Sequence, residues 1–98
     1  METNSINNIQ QKTAPIFDQY DITYAGLFGS FSRGQETKKS DIDIIVRLGK
    51  PMGMFVYMKF INALESVLQR KVDIMTESSI NKHIKPHVMQ DIKTIYEK

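Results

Sequence analysis

Cysteine and tryptophan are both missing from the 98-residue sequence. Without cysteine there is no disulfide staple and no thiolate metal site, so a reducing compartment is permitted, and a hard metal on oxygen ligands is left open. Proline and glycine are sparse, with three and five residues. They form no linker, and the chain shows neither repeat nor low-complexity tract. No sign of charge dominates: 13 Lys and Arg oppose 11 Asp and Glu, a net charge of +2. That surplus is too small and too dispersed to be the footprint of a nucleic-acid binder. No apolar run approaches the roughly 18–20 residues that span a bilayer. The opening METNSINNIQQ has neither the basic nor the apolar region of a signal or transit peptide, so a soluble cytoplasmic protein is expected. The length predicts a single domain over 1–98, able to bury roughly 60–70% of its unfolded surface in one two-layer core.

The pattern of what is present predicts an α+β fold. Ile6, Ile9, Ile16, Phe17 and Tyr20 recur at helical spacing over Ser5 to Tyr20, in a helix that Pro15 is expected to kink or split. Ile22 to Phe28 and Asp41 to Leu48 read as strands, each stopped by glycine. Met54 to Gln69 reads as a second helix with Met54, Met58, Ile61, Leu64, Val67 and Leu68 on its apolar stripe. Val72 to Met75 is a third strand, Ser78 onward a short helix broken near Pro86, and Thr94 to Tyr96 a terminal edge strand. The expected architecture is a small mixed β-sheet with helices packed on one face and the other face open.

Chemistry concentrates in Gly29-Ser30 and Asp41-Ile42-Asp43, joined by ten intervening residues. Aspartate is a poor strand former, yet two open a run of Ile and Val. Residues i and i+2 of a strand point to one face about 7 Å apart, so both carboxylates can serve one small site. Left alone they repel; a pair of Mg²⁺ ions removes the repulsion and supplies charge for a transferring phosphoryl group. Gly29 lets a phosphate approach the backbone, Ser30 adds a hydroxyl, and Arg33 offers a planar fork to the same anion. Asp73 is a third acid within an apolar run, Val72-Asp73-Ile74-Met75. Three strand-borne carboxylates beside a Gly-Ser turn describe a two-metal nucleotidyl-transfer site.

Gly29-Ser30, Asp41-Ile42-Asp43 and Asp73 in this order closely resemble the minimal nucleotidyltransferases of the DNA polymerase β superfamily, over nearly the whole chain. The resemblance implies a palm-like nucleotidyltransferase fold. It also implies that Asp41 and Asp43 bridge two Mg²⁺ ions, that Asp73 binds the ion activating the acceptor hydroxyl, and that Gly29 and Ser30 hold the β- and γ-phosphates of a nucleoside triphosphate. Many proteins of this pattern are antitoxins encoded beside a HEPN-domain ribonuclease toxin, which they silence by transferring AMP from ATP to a toxin tyrosine. Unlike larger relatives, the chain has no C-terminal domain to enclose base or acceptor.

Plainer readings stand beside these. Asp41 and Asp43 could line a solvated edge strand, Asp73 could blunt a sheet edge, and Arg33, Lys38 and Lys39 could be loop charges in water. His83 and His87 have the spacing of a helical metal pair, but Pro86 between them weakens that reading. The stretch Met52 to Phe60 is apolar around more of the helix than one stripe needs. Its Phe55, Tyr57 and Phe60 are either isolated surface apolars or anchors for a partner protein close to the acids. Two rival functions remain: transfer to a small molecule or an RNA end, and steric neutralisation of a partner without catalysis.

Overall fold

In the computed structural model, which describes residues 6–29, 41–80, 82–83, 86 and 90–98, the first element is helix α1, Ile6–Gln19. Its Ile9, Thr13, Ile16 and Phe17 face inward. The buried Thr13 hydroxyl donates to the Ile9 carbonyl at 2.7 Å, so the one polar side chain on this face is satisfied. Contrary to expectation, Pro15 does not split the helix. Proline deletes the bond to the carbonyl four residues back, at Gln11, and both Gln11 and Pro15 lie on the exposed side, where water can take that carbonyl. The buried face carries the helix through.

Strand β1, Ile22–Phe28, follows a tight turn at Asp21, whose φ is +59°. Strand β2, Ile42–Leu48, helix α2, Met54–Leu68, strand β3, Val72–Thr76, a 3₁₀ turn over Glu77–Ser79 and strand β4, Lys93–Glu97, complete the chain. The sheet has the order β3-β2-β1-β4. β2 pairs parallel with β3, whereas β1 pairs antiparallel with both β2 and β4, so the sheet is mixed as expected. Of the short helix expected from Ser78, the chain shows a 3₁₀ turn over Glu77–Ser79 and helical Pro86 and Gln90, while residues 81, 84–85 and 87–89 lie outside the described set.

The period of two along β2 sorts its residues. Ile42, Ile44 and Val46 join Ala25, Leu27, Val72 and Ile95 in a core closed by Ile9, Ile16 and Phe17 of α1 and Phe60, Leu64 and Leu68 of α2. Phe60 is the hub on the helix side, its ring 6.0 Å from Phe17 and 5.3 Å from Tyr20 between centroids. This corrects the expected stripe on α2. Phe60 is buried, while Met54 and Met58 are exposed. The first half of α2 is apolar on every side, so periodicity alone has no preferred face to report there.

The second face of the sheet is not wholly open. With strand order β3-β2-β1-β4 and the helices on one side, the link from β3 to β4 passes from one edge to the other, and Ile92 of that link lies against Gly26. Ile45 and Tyr24 are buried although they belong to no part of the helix-side core, and Ile80 is buried as well. Among the described residues, the exposed part of the sheet includes the end where β1 stops and β2 begins.

Candidate active site

That end is where the acids stand. β2 is an interior strand, which removes the edge-strand reading of Asp41 and Asp43. Asp43 is in register with Asp73 on the parallel neighbour β3 and with Phe28 on the antiparallel neighbour β1. Parallel in-register residues present their side chains to the same face about 4.8 Å apart at the backbone. Asp41 precedes the strand by one residue and is exposed, as is Asp73, while Asp43 is half-buried.

The Asp43 carboxyl is held above the ordinary carboxylate range, first by burial and then by the negative charges of Asp73 and Asp41. The three carboxylates therefore act on one another, with Asp43 at the centre. They do not form a closed ligand set: among the described residues no three acidic, histidine or cysteine side chains are gathered tightly enough to hold an ion. Asp41 and Asp73 are the exposed members. A site of carboxylate oxygens only, with mutual repulsion, suits a hard divalent cation such as Mg²⁺.

Gly29 directly follows β1 with φ +74°, in the left-handed region. A Cβ built there would collide with Asp43 Oδ2, so the bare backbone of Gly29 lies flush against the central carboxylate. Glycine is thus required by conformation, and any side chain there would also have to displace the Asp43 carboxylate. We expect Gly29→Ala to lower the melting temperature by several degrees, and Gly29→Val to lower it further, by about 5–15 °C in a domain of this size. Thermal melts of the two variants check this; a parent-like melt for Gly29→Val would show that the strand end is not held in this conformation.

Tyr57 of α2 also borders the site. Its hydroxyl donates to the Ile74 carbonyl at 3.3 Å, and its phenol is held above the usual range by burial and, secondarily, by Asp73. Glu65, on the same helix, accepts the Val72 backbone N–H at 2.9 Å through Oε2. The sequence marks Tyr57 only as a candidate partner anchor and does not mark Glu65 at all. Their relation to Asp73 is created by packing α2 on β3, and nothing local signals it.

Other sequence candidates fall outside this arrangement. Ser30, Arg33, Lys38, Lys39 and His87 lie outside the described residues. His83 is described, in an exposed turn. Of the apolar start of α2, Tyr57 reaches the strand of Asp73, while the helix itself begins away from the acids. α2 leaves from the Leu48 end of β2, five strand residues or about 17 Å from Asp43, and Val56 there lines a hollow with Tyr20, Asp21 and Lys50. Phe55 is 86% exposed, Tyr57 is occupied with Ile74, and Phe60 is core. A second hollow of about 430 Å³ lies at the same far end, between Val46–Leu48 and Thr76–Ser78. Its Arg47 is engaged by Glu77 at 2.9 Å and stacked 5.4 Å over the Tyr24 ring.

Comparison with known proteins agrees with this fold. The family described as polymerase beta, nucleotidyltransferase matches residues 11–98. A Methanocaldococcus jannaschii protein named as a candidate protein adenylyltransferase, MJ1379, is 36% identical over 91% of this chain and 93% of its own length. Among solved structures, a toxin–antitoxin crystallised with AMP-PNP superposes with a TM-score of 0.77 at 23% identity, over 91% of this chain and 73% of that one. The complex of a tri-AMPylated Shewanella oneidensis HEPN toxin with its MNT antitoxin gives 0.71 at 20% identity, over 95% of this chain and 73% of that one. At those identities the structures speak for the fold, whereas the family match extends over most of the sequence and includes Gly29, Asp41, Asp43 and Asp73 within its span. The chain therefore belongs to the polymerase beta nucleotidyltransferase family and is a nucleotidyltransferase.

Proposed function

We propose that this protein is an antitoxin that transfers AMP from ATP to a tyrosine hydroxyl of a HEPN-domain toxin, in a Mg²⁺-dependent reaction. The observation that carries the reading is the in-register pair Asp43 and Asp73, with Asp41 two residues away and the backbone of Gly29 against the Asp43 carboxylate. The partner class is supported by the likeness to toxin–antitoxin structures, one of which holds an AMPylated HEPN toxin.

In this reading the acceptor oxygen attacks the α-phosphorus in line, a new phosphorus–oxygen bond forms to AMP, and the bond to pyrophosphate breaks. Asp41, Asp43 and Asp73 would hold Mg²⁺, which would supply positive charge to the phosphates. Gly29 gives the β- and γ-phosphates access to backbone amides, Ser30 adds a hydroxyl donor, and Arg33 a guanidinium. No side chain of this protein becomes covalently modified. Part of the site is left for the acceptor to complete, since the exposed Asp41 and Asp73 have no protein wall over them among the described residues.

Two measurements test this. Mg²⁺ with a non-hydrolysable ATP analogue should raise the melting temperature by roughly 10 °C or more at a hundredfold excess over Kd, because ligand binds only the folded state and relieves the carboxylate repulsion. Incubation with α-labelled ATP, Mg²⁺ and the HEPN toxin should place label on a toxin tyrosine. Label on RNA alone would favour an RNA end as acceptor, and neutralisation of the toxin by an inactive Asp43→Asn protein would favour steric binding.

A further inference from the structure

The third carboxylate sits on an edge strand of the sheet. Among the described residues β3 is paired only with β2. On that side the Lys71 carbonyl accepts the Ile42 N–H at 3.0 Å. Backbone groups alternate sides along a strand, so the N–H and C=O groups of Val72 and Ile74 point away from β2, toward the unpaired edge. These are the residues flanking Asp73. Helix α2 meets both: Glu65 Oε2 accepts the Val72 N–H at 2.9 Å, and the Tyr57 hydroxyl donates to the Ile74 carbonyl at 3.3 Å.

We infer that Tyr57 and Glu65 are positioning residues for Asp73, a two-point clamp from α2 that fixes the height and tilt of β3 and so the carboxylate's approach to the metal shared with Asp41 and Asp43. The inference rests on the reading of Asp73 as a metal-holding residue. The clamp does what a further strand would do at this edge, but with side chains, and only at the two residues that bracket the acid. Elsewhere on α2 the helix–sheet contact is apolar, through Phe60, Leu64 and Leu68, and apolar packing tolerates sliding that two directional hydrogen bonds do not. The donor and acceptor roles also differ, one bond to an N–H and one to a carbonyl, so β3 is held against displacement along its length as well as away from β2.

The test uses the full chain and Mn²⁺ alone as probe, with bound and free ion distinguished by electron paramagnetic resonance, and Mg²⁺-dependent transfer as a second readout. Tyr57→Phe keeps the ring and loses the donor. Glu65→Leu loses the acceptor, and Glu65→Gln restores a neutral one. Outer-shell partners of metal ligands commonly change metal affinity by 10–100-fold. We expect Tyr57→Phe and Glu65→Leu each to weaken Mn²⁺ binding by about tenfold and to raise the Mg²⁺ concentration for half-maximal transfer in step. Glu65→Gln should stay near the parent. Parent-like Mn²⁺ affinity in both Tyr57→Phe and Glu65→Leu, with a lowered melting temperature alone, would overturn the clamp as a positioning device. Asp73→Asn is measured alongside: weakened binding there with unaffected clamp variants overturns only the positioning role, whereas unaffected binding in Asp73→Asn overturns the metal role of Asp73 itself, and the clamp with it. If Glu65→Leu fails to fold, Tyr57→Phe decides.

Discussion

Asp43→Asn should lose transfer by at least about a hundredfold while the protein keeps or gains stability near neutral pH. The two halves of that expectation come from one fact. Asp43 is the central carboxylate, half-buried and pressed by Asp73 and Asp41, and its pKa is raised from the ordinary 3.8 by burial first and those charges second. The folded protein thus holds this proton more tightly than the unfolded chain, so the group lowers stability progressively as pH rises from below 3.8 through the raised folded value. An amide of the same shape carries no such penalty. Thermal melts from pH 3 to pH 8 should show the Asn variant equal to the parent at the acid end and a few degrees above it at the neutral end. The same substitution removes a carboxylate oxygen that a divalent cation needs, and the activity goes with it. Full activity in this variant would falsify the catalytic assignment, and a large fall in melting temperature at pH 7 would make Asp43 a structural residue instead.

Phe60→Ala is expected to be the most damaging single truncation on α2, costing about 3–5 kcal/mol of stability, a large part of what a small domain possesses. Phe60 is fully buried and its ring contacts those of Phe17 and Tyr20, so its removal opens a cavity at the junction of both helices and the sheet. Phe55→Ala, five residues earlier on the same helix, should change stability by no more than about 0.5 kcal/mol, because 86% of that residue is already in water. Urea unfolding of the two variants separates them. Similar losses in both would mean that α2 is packed in a different rotational setting, with Phe55 inward.

The order of these elements and the location of the acids were legible before any coordinates. Strand boundaries follow from β-branched runs stopped by glycine, and the common face of Asp41 and Asp43 follows from the two-residue period of a strand, which is local geometry. β1 spans the expected residues, β2 begins one residue later than expected, and Gly29 adopts the left-handed conformation that suits a phosphate-facing turn. Helix α2 was legible as a helix but not in its rotation. Met54, Phe55, Val56, Tyr57 and Met58 are apolar in succession, and only the sheet beneath decides that Phe60, Leu64 and Leu68 turn inward while Met54 and Met58 remain in water. Its distance from the acids was equally hidden. The helix begins just after the strand that carries Asp43, yet it begins at the opposite end of that strand, because a chain must traverse all of β2 before it can turn back.

Tertiary structure alone joined Tyr57 and Glu65 to the residues flanking Asp73, across intervals of 17 and 7 positions in the chain. A hydrogen bond of that kind has no periodicity and no composition. It exists because an edge strand leaves alternate backbone groups unpaired, and because the helix crossing that edge carries one acceptor and one donor at the right heights.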